Sequence, residues 1–207
     1  MPSEQAAQLD NLLDQVRRCN LCASKLPHPP RPVLRAASTA RVLIVGQAPG
    51  TRVHATGIPW NDPSGQRLRQ WMGVTEEQFY DERQVAIVPM GFCYPGKGRS
   101  GDLPPRRECA PAWHEQILAL LPAIRTTLLI GQYAQNYYQP GDYRSLTRRV
   151  EHWRRFAPRQ YVLPHPSPRN QLWLRRNPWF ETDVVPDLQR TIRRLLASAD
   201  GLSPSDG

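Results

Sequence analysis

A chain of 207 residues has room for one ordinary domain with a sizeable core and not for two. Hydrophobic residues make up 40% of it, and no apolar run approaches the roughly 18 residues of a membrane-crossing helix, which excludes a membrane span. The net charge of +9 rests on 27 basic residues that are all Arg except Lys25 and Lys97; Arg forks bind phosphate and stack on bases, so this surface points toward nucleic acid, with genomic codon bias an equal explanation.

Residues 1–10 have neither the basic nor the apolar region of a signal peptide, so a cytoplasmic chain is expected, nucleoid-associated if bacterial. Leu9, Leu12, Leu13 and Val16 recur at helical spacing and predict an amphipathic helix over 4–18. It runs into Cys19-Asn-Leu-Cys22 and a Pro-rich connector over 27–32. Short continuous apolar runs at 41–46, 84–88, 126–131 and 160–163 have the character of strands buried on both faces. Helical patterns lie between them at 105–121 and 145–156, and a last helix uses Val185, Leu188, Ile192, Leu195 and Leu196. Arg148, Arg149, Arg154 and Arg155 read as one solvated face of the second of these. The segment 171–180, with Trp173, Trp179 and Phe180, reads as an aromatic loop that packs the preceding motif or meets DNA. Residues 201–207 read as a disordered tail beyond a single domain over 1–200, with the segment 4–26 packed on it.

Strands alternating with helices predict a three-layer α/β/α domain with a four-stranded parallel sheet. Ligands in such folds sit at the carboxyl ends of the strands. Two strand ends carry unusual loops, Gly46-Gln47-Ala48-Pro49-Gly50 and His165-Pro166-Ser167-Pro168-Arg169-Asn170, which are expected to face one another across a cleft.

Cys19, Cys22, Cys93 and Cys109 give one close pair and two scattered members. In a chain that is not exported a disulfide is disfavoured. Structural zinc usually draws on two close pairs, whereas an iron–sulfur cluster needs only four thiolates that converge in space. Spacing alone leaves three readings open: a cluster, zinc, or unrelated buried thiols.

GQAPG after a strand, then Gly57-Ile58-Pro59-Trp60 and Ser64-Gly65, the four cysteines, LLIG with Ala134 behind it, and HPSPRN together resemble the uracil-DNA glycosylase superfamily, from Cys19 to Asn170. The cysteine spacing is similar to that of the family-four enzymes, and HPSPRN to the second motif of the single-strand-selective monofunctional uracil glycosylases. The resemblance implies a 4Fe-4S cluster on Cys19, Cys22, Cys93 and Cys109, with zinc as the alternative. It also implies a monomer acting on DNA, single- or double-stranded, that carries a damaged base, probed in a pocket of Gly46, Ala48, Pro49 and Trp60. His165 would donate to the carbonyl oxygen of the departing base and Gln47 would orient water. Ser64, Gly65 and Ser167 would hold phosphates, and Arg169 would enter the duplex as a wedge, with Asn170 beside it.

Two departures stand against a simple transfer. Gln47 occupies the position of the family-four Glu, and Ala48 that of another branch's Asp, so the loop holds no carboxylate. Pro89 stands where family four has the Asn that reads uracil, and proline offers no side-chain donor or acceptor. Asp62, His54 and Asn170 are the nearby polar candidates. The expected function is hydrolysis of the N-glycosidic bond of a deaminated or damaged base, uracil first among them. The alternatives are a weakly active or non-catalytic nucleic-acid or nucleotide-binding protein on the same fold, a zinc-stabilised DNA-binding module, and a hydrolase of free nucleosides.

Overall fold

A computed structural model describes residues 4–141, 143 and 145–197; the tail predicted over 201–207 lies outside them. Along the chain the elements are α1 (Glu4–Arg17), β1 (Val42–Val45), α2 (Thr51–Thr56), α3 (Pro63–Met72), α4 (Glu76–Tyr80), β2 (Val85–Ile87), β3 (Lys97–Gly98), β4 (Gly101–Asp102) and α5 (Cys109–Ala119). They continue as β5 (Thr126–Ile130), α6 (Gly131–Tyr138), α7 (Leu146–Glu151), β6 (Gln160–Leu163), α8 (Gln171–Arg176) and α9 (Val185–Ala197). No helix among the described residues is long and apolar enough to cross a membrane.

The four predicted apolar runs form one sheet in the order β2-β1-β5-β6, every pairing parallel. Val42–Val45 is buried at every position, as residues facing helices on both sides of a sheet must be. The β2 edge is closed by an antiparallel bridge, with Arg35 N–H donating to Ile87 O at 2.9 Å and Ile87 N–H to Arg35 O at 2.7 Å. At the other edge the Tyr161 hydroxyl donates to Asp187 Oδ2 at 2.6 Å and lies 2.8 Å from Thr191 Oγ1, joining β6 to α9. The first helix buries Leu9, Leu12, Leu13 and Val16, as its periodicity predicts, and packs against α5.

Three expectations are corrected. The helix predicted over 105–121 starts at Cys109, because Pro104 and Pro105 disfavour helical backbone ahead of them. The helix predicted over 145–156 stops at Glu151 and gives way to a 3-10 turn at Trp153–Arg155. The arginines there therefore share no face: Arg149 is buried, donates to Asn136 Oδ1 at 3.0 Å and lies over the Tyr143 ring, while Arg148 pairs with Glu151 and Arg154 lies over Trp153. The aromatic segment 171–180 begins as helix α8 and packs inward. Phe180 is fully buried with its ring edge-on to Trp71 of α3 at 4.8 Å, Trp173 packs on Trp179 and Phe180, and Trp173 Nε1 donates to Thr147 Oγ1 at 2.8 Å. Truncating a fully buried aromatic costs about 3–5 kcal/mol, so these rings hold α8 against α3 and with it the loop that precedes α8.

Candidate active site

The strand order runs outward from β1 to β2 on one side and through β5 to β6 on the other, and such a reversal leaves a crevice at the carboxyl ends of the strands. A cavity of about 480 Å³ opens there. Gly46, Gln47, Ala48, Pro49 and Gly50 line it from the end of β1, and His165, Ser167, Arg169 and Asn170 from beyond β6. The two loops do face one another across a cleft.

His165 is placed by its surroundings. The buried Gln135 side chain donates to Leu129 O at 3.2 Å and Leu163 O at 2.8 Å, tying the ends of β5 and β6 together where the chain leaves the sheet. Gly131, with φ of 80°, adopts left-handed backbone that suits glycine, and a Cβ built there would meet His165 Cβ at 3.7 Å. Asn170 Nδ2 donates to the His165 carbonyl at 2.7 Å, and Arg67 of α3 reaches Gln171 Oε1 at 3.0 Å. The Ser167 N–H donates to His165 Nδ1 at 3.2 Å, so Nδ1 carries the lone pair and the neutral ring holds its proton on Nε2. Burial lowers the His165 pKa below the ordinary histidine value, and Asp62 opposes this more weakly. His165, which lines the cavity, is thus a neutral imidazole whose one N–H donor is at Nε2.

Trp60 forms the adjoining wall, its ring centroid 5.6 Å from that of His165. Its φ of 56° is left-handed, a conformation that costs a bulky residue about 1–2 kcal/mol. Two glycines make the conformation possible. A Cβ on Gly46 would meet Trp60 Cζ2 at 2.7 Å, and a Cβ on Gly65 would meet the Trp60 carbonyl oxygen at 1.7 Å. Gly46 and Gly65, read from sequence as base- and phosphate-binding positions, are also the spaces into which Trp60 fits.

The remaining candidates divide. Asp62 caps α3, its Oδ1 accepting from the Gly65 N–H at 2.8 Å, so that amide is already engaged and Ser64 is the member of the pair left to line the cavity. Gln47 Nε2 donates to Leu103 O at 3.3 Å, and Arg169 donates through Nη1 to Ser100 O at 2.6 Å, crossing Gly101. Ser167 Oγ accepts from the Arg169 N–H at 3.2 Å. His54 stacks on His28 at 5.3 Å and lies tilted against Tyr94 at 5.8 Å, in a ring cluster that does not line the cavity. Pro89 does line it, without any side-chain donor or acceptor, and its carbonyl lies 3.0 Å from Nε2 of the buried His114.

Sequence reasoning missed several of the lining residues. Tyr133 of α6 lines the cavity, as do Ser100, Gly101 and Asp102 of the β3–β4 hairpin. The glycines at 96, 98 and 101 around Lys97 and Ser100 were the available turn signal.

On the other side of the β2–α5 connection, Cys19, Cys22, Cys93 and Cys109 all line a second, largely apolar cavity with Leu26 and Trp113. Burial pushes the Cys93 thiol up to about 11 and the Cys109 thiol up to about 12, so a metal must displace their protons. The Phe92 N–H donates to Cys109 Sγ at 3.4 Å. Lys25 and Arg106 both pair with Glu108, joining the segment behind Cys22 to the residue before Cys109. Among the described residues no three of His, Cys, Asp and Glu form a group able to hold a single ion. Four thiols on one apolar cavity are the donors that a group bound by four thiolates would need.

A family model described as the uracil DNA glycosylase superfamily matches residues 34–189. The matched span contains both strand-end loops, Trp60, the β3–β4 hairpin, Cys93 and Cys109; Cys19 and Cys22 precede it.

Proposed function

The chain belongs to the uracil DNA glycosylase superfamily, and from that premise we propose that it is a monofunctional DNA glycosylase hydrolysing the N-glycosidic bond of a deaminated base, uracil first among the candidates, flipped out of DNA. The observation that carries this reading is the hydrogen bonding of His165. Its Nδ1 is occupied by the Ser167 N–H, so the proton stands on Nε2 in the cavity that receives the base. As the glycosidic bond breaks, negative charge gathers on the base oxygens, and a fixed donor stabilises that charge without reorganising. Trp60 offers the flipped base a wall to stack on, worth about 1–3 kcal/mol. Gly46, Ala48 and Pro49 close the pocket, Ser64 and Ser167 meet phosphates, and Gln47 orients water by hydrogen bonding. Asn170 acts through His165, whose carbonyl it holds.

The protein combines a family-four-like cluster with an HPSPRN second motif. Cys19, Cys22, Cys93 and Cys109 would hold the 4Fe-4S cluster, which would supply a structural clasp between the end of α1, the loop after β2 and the start of α5. The convergence of four thiols on one cavity supports a metal group held by all four, and the family-four-like cysteine spacing favours the cluster over zinc.

A cleavage assay of oxygen-free protein on oligonucleotides carrying uracil, hypoxanthine, xanthine or a thymine mismatch tests the reading. Release of at least one base is expected; tight DNA binding with a blank panel would move the assignment to a binding protein on the same fold.

Arg169 provides a separate expectation. The wedge reading requires it to leave Ser100 O and enter the base stack. Arg169→Ala is expected to weaken binding to a duplex carrying the target base about tenfold, or about 1.4 kcal/mol, and to affect single-stranded DNA much less. Titrations at two salt concentrations separate this from simple loss of a phosphate contact, which would weaken both substrates equally and flatten the salt dependence.

A further inference from the structure

The first strand-end loop contains no carboxylate, yet the cavity does, and the polypeptide brings it from elsewhere. Asp102 ends the β3–β4 hairpin, whose paired residues are Lys97 with Asp102 and Gly98 with Gly101. The hairpin is laid against the cavity by the bond from Gln47 Nε2 to Leu103 O at 3.3 Å and the bond from Arg169 Nη1 to Ser100 O at 2.6 Å. Its orientation is fixed further by the Leu103 N–H, which donates to Gly96 O at 2.8 Å.

The carboxylate itself faces the GQAPG loop. A Cβ built on Gly50 would stand 3.2 Å from Asp102 Oδ2, and Asp102 lines the same cavity as Gln47, Trp60 and His165. It makes no hydrogen bond with another described side chain, whereas Asp62, the other carboxylate lining the cavity, is engaged as the cap of α3. The charged groups facing Asp102 are Arg169 and Lys97, which favour its ionised form, and Asp62, which opposes it. Partial removal from water is the larger influence and raises its pKa above the usual aspartate value. Asp102 as a whole residue remains exposed, so water reaches it, and the raised pKa makes its carboxylate a stronger proton acceptor than an ordinary aspartate.

We propose that Asp102 is the catalytic carboxylate that receives the proton of the attacking water, supplying from the hairpin the charge that Gln47 and Ala48 leave out of the first loop. This assignment rests on the glycosylase reading and deepens it. The C1′–N bond breaks with its electron pair passing to the base, and the sugar becomes cationic opposite the carboxylate. The water oxygen bonds to C1′ as one water proton passes to an Asp102 oxygen. The base anion, held through His165 Nε2–H, takes up a proton from solvent, and Asp102 returns its proton to solvent. The products are the free base and a sugar with a hydroxyl at C1′.

The test uses the full-length protein and the base that the parent releases fastest. Asp102→Asn, which keeps the side-chain shape but removes the negative charge facing the sugar as it turns cationic during C1′–N cleavage, is expected to lower the single-turnover rate about 10²-fold with DNA affinity and melting temperature unchanged. The parent's rate should rise with pH along an acid limb as Asp102 ionises, and that limb should be absent from Asp102→Asn. Formate should restore part of the rate to Asp102→Ala, which a loss of hairpin structure would not allow. An Asp102→Asn protein as fast as the parent, a loss of rate that leaves the acid limb in place, or an equal effect seen only in Asp62→Asn would overturn the assignment while leaving the glycosylase reading intact. A parent that releases no base would overturn both.

Discussion

Replacing His165 with alanine is expected to lower the single-turnover rate of base release about 10²–10³-fold while leaving DNA affinity nearly unchanged. Affinity comes mainly from phosphate contacts, to which one neutral imidazole adds little, whereas charge on the base oxygen appears only as the bond breaks. A single preorganised donor at such a charge is worth about 3–4 kcal/mol, which converts to this loss of rate. The pH dependence has a definite sign. Burial lowers the His165 pKa, and protonation would place an Nδ1–H against the Ser167 N–H, donor facing donor. The ring therefore remains neutral as pH falls through the ordinary histidine value, and no histidine limb is expected there in the rate profile. Gln47→Ala is expected to cost less, because water capture follows bond cleavage and the Gln47 amide is spent partly on holding Leu103. A His165→Ala protein that releases base at the parent's rate would refute the mechanism.

Protein prepared without oxygen is expected to be brown, to contain about four irons per chain and no stoichiometric zinc. Cys93→Ser is expected to lower the melting temperature by about 10 °C, at roughly 2–4 °C per kcal/mol for a domain of this size. The four thiols come from three separate stretches of chain, Cys19 and Cys22 behind α1, Cys93 after β2 and Cys109 at the head of α5. Binding one group to all of them is folding free energy, since the unfolded chain cannot hold them together. The ion pairs of Glu108 with Lys25 and Arg106 nearest the thiols are solvent-accessible and therefore weak, leaving the bound group to tie these stretches together. One zinc per chain by metal analysis, or no metal in protein kept free of oxygen, would refute the assignment.

Much of the fold was legible because its parallel strands are buried on both faces, and such strands advertise themselves as continuous apolar runs. All four appear within a residue or so of their predicted limits, and the final amphipathic helix likewise follows its spacing. The short helices α2, α4, α6 and α8 were not legible: at five to eight residues they are too brief for a period to emerge. Packing decides them instead, as when Trp173 and Phe180 turn a segment that reads as a loop into a helix held against α3. Arg149 shows the same limit in reverse, since nothing local marks one arginine of a basic run for burial beside Asn136 and Tyr143.

For the site, the sequence alone determined the two strand-end loops and the residues that resemble a glycosylase's, because those motifs are contiguous and their chemistry is carried by residue type. Only the tertiary structure decided how they work. The His165 tautomer depends on one backbone N–H, and the left-handed Trp60 depends on empty space at Gly46 and Gly65, neither of which residue identity reveals. The carboxylate at Asp102 reaches the first loop through a hairpin whose strands are two residues each, too short to carry a pattern. Local propensity and periodicity act over a few residues, whereas a catalytic pocket is made by groups distant in the chain that meet only when the sheet and its loops have closed around them.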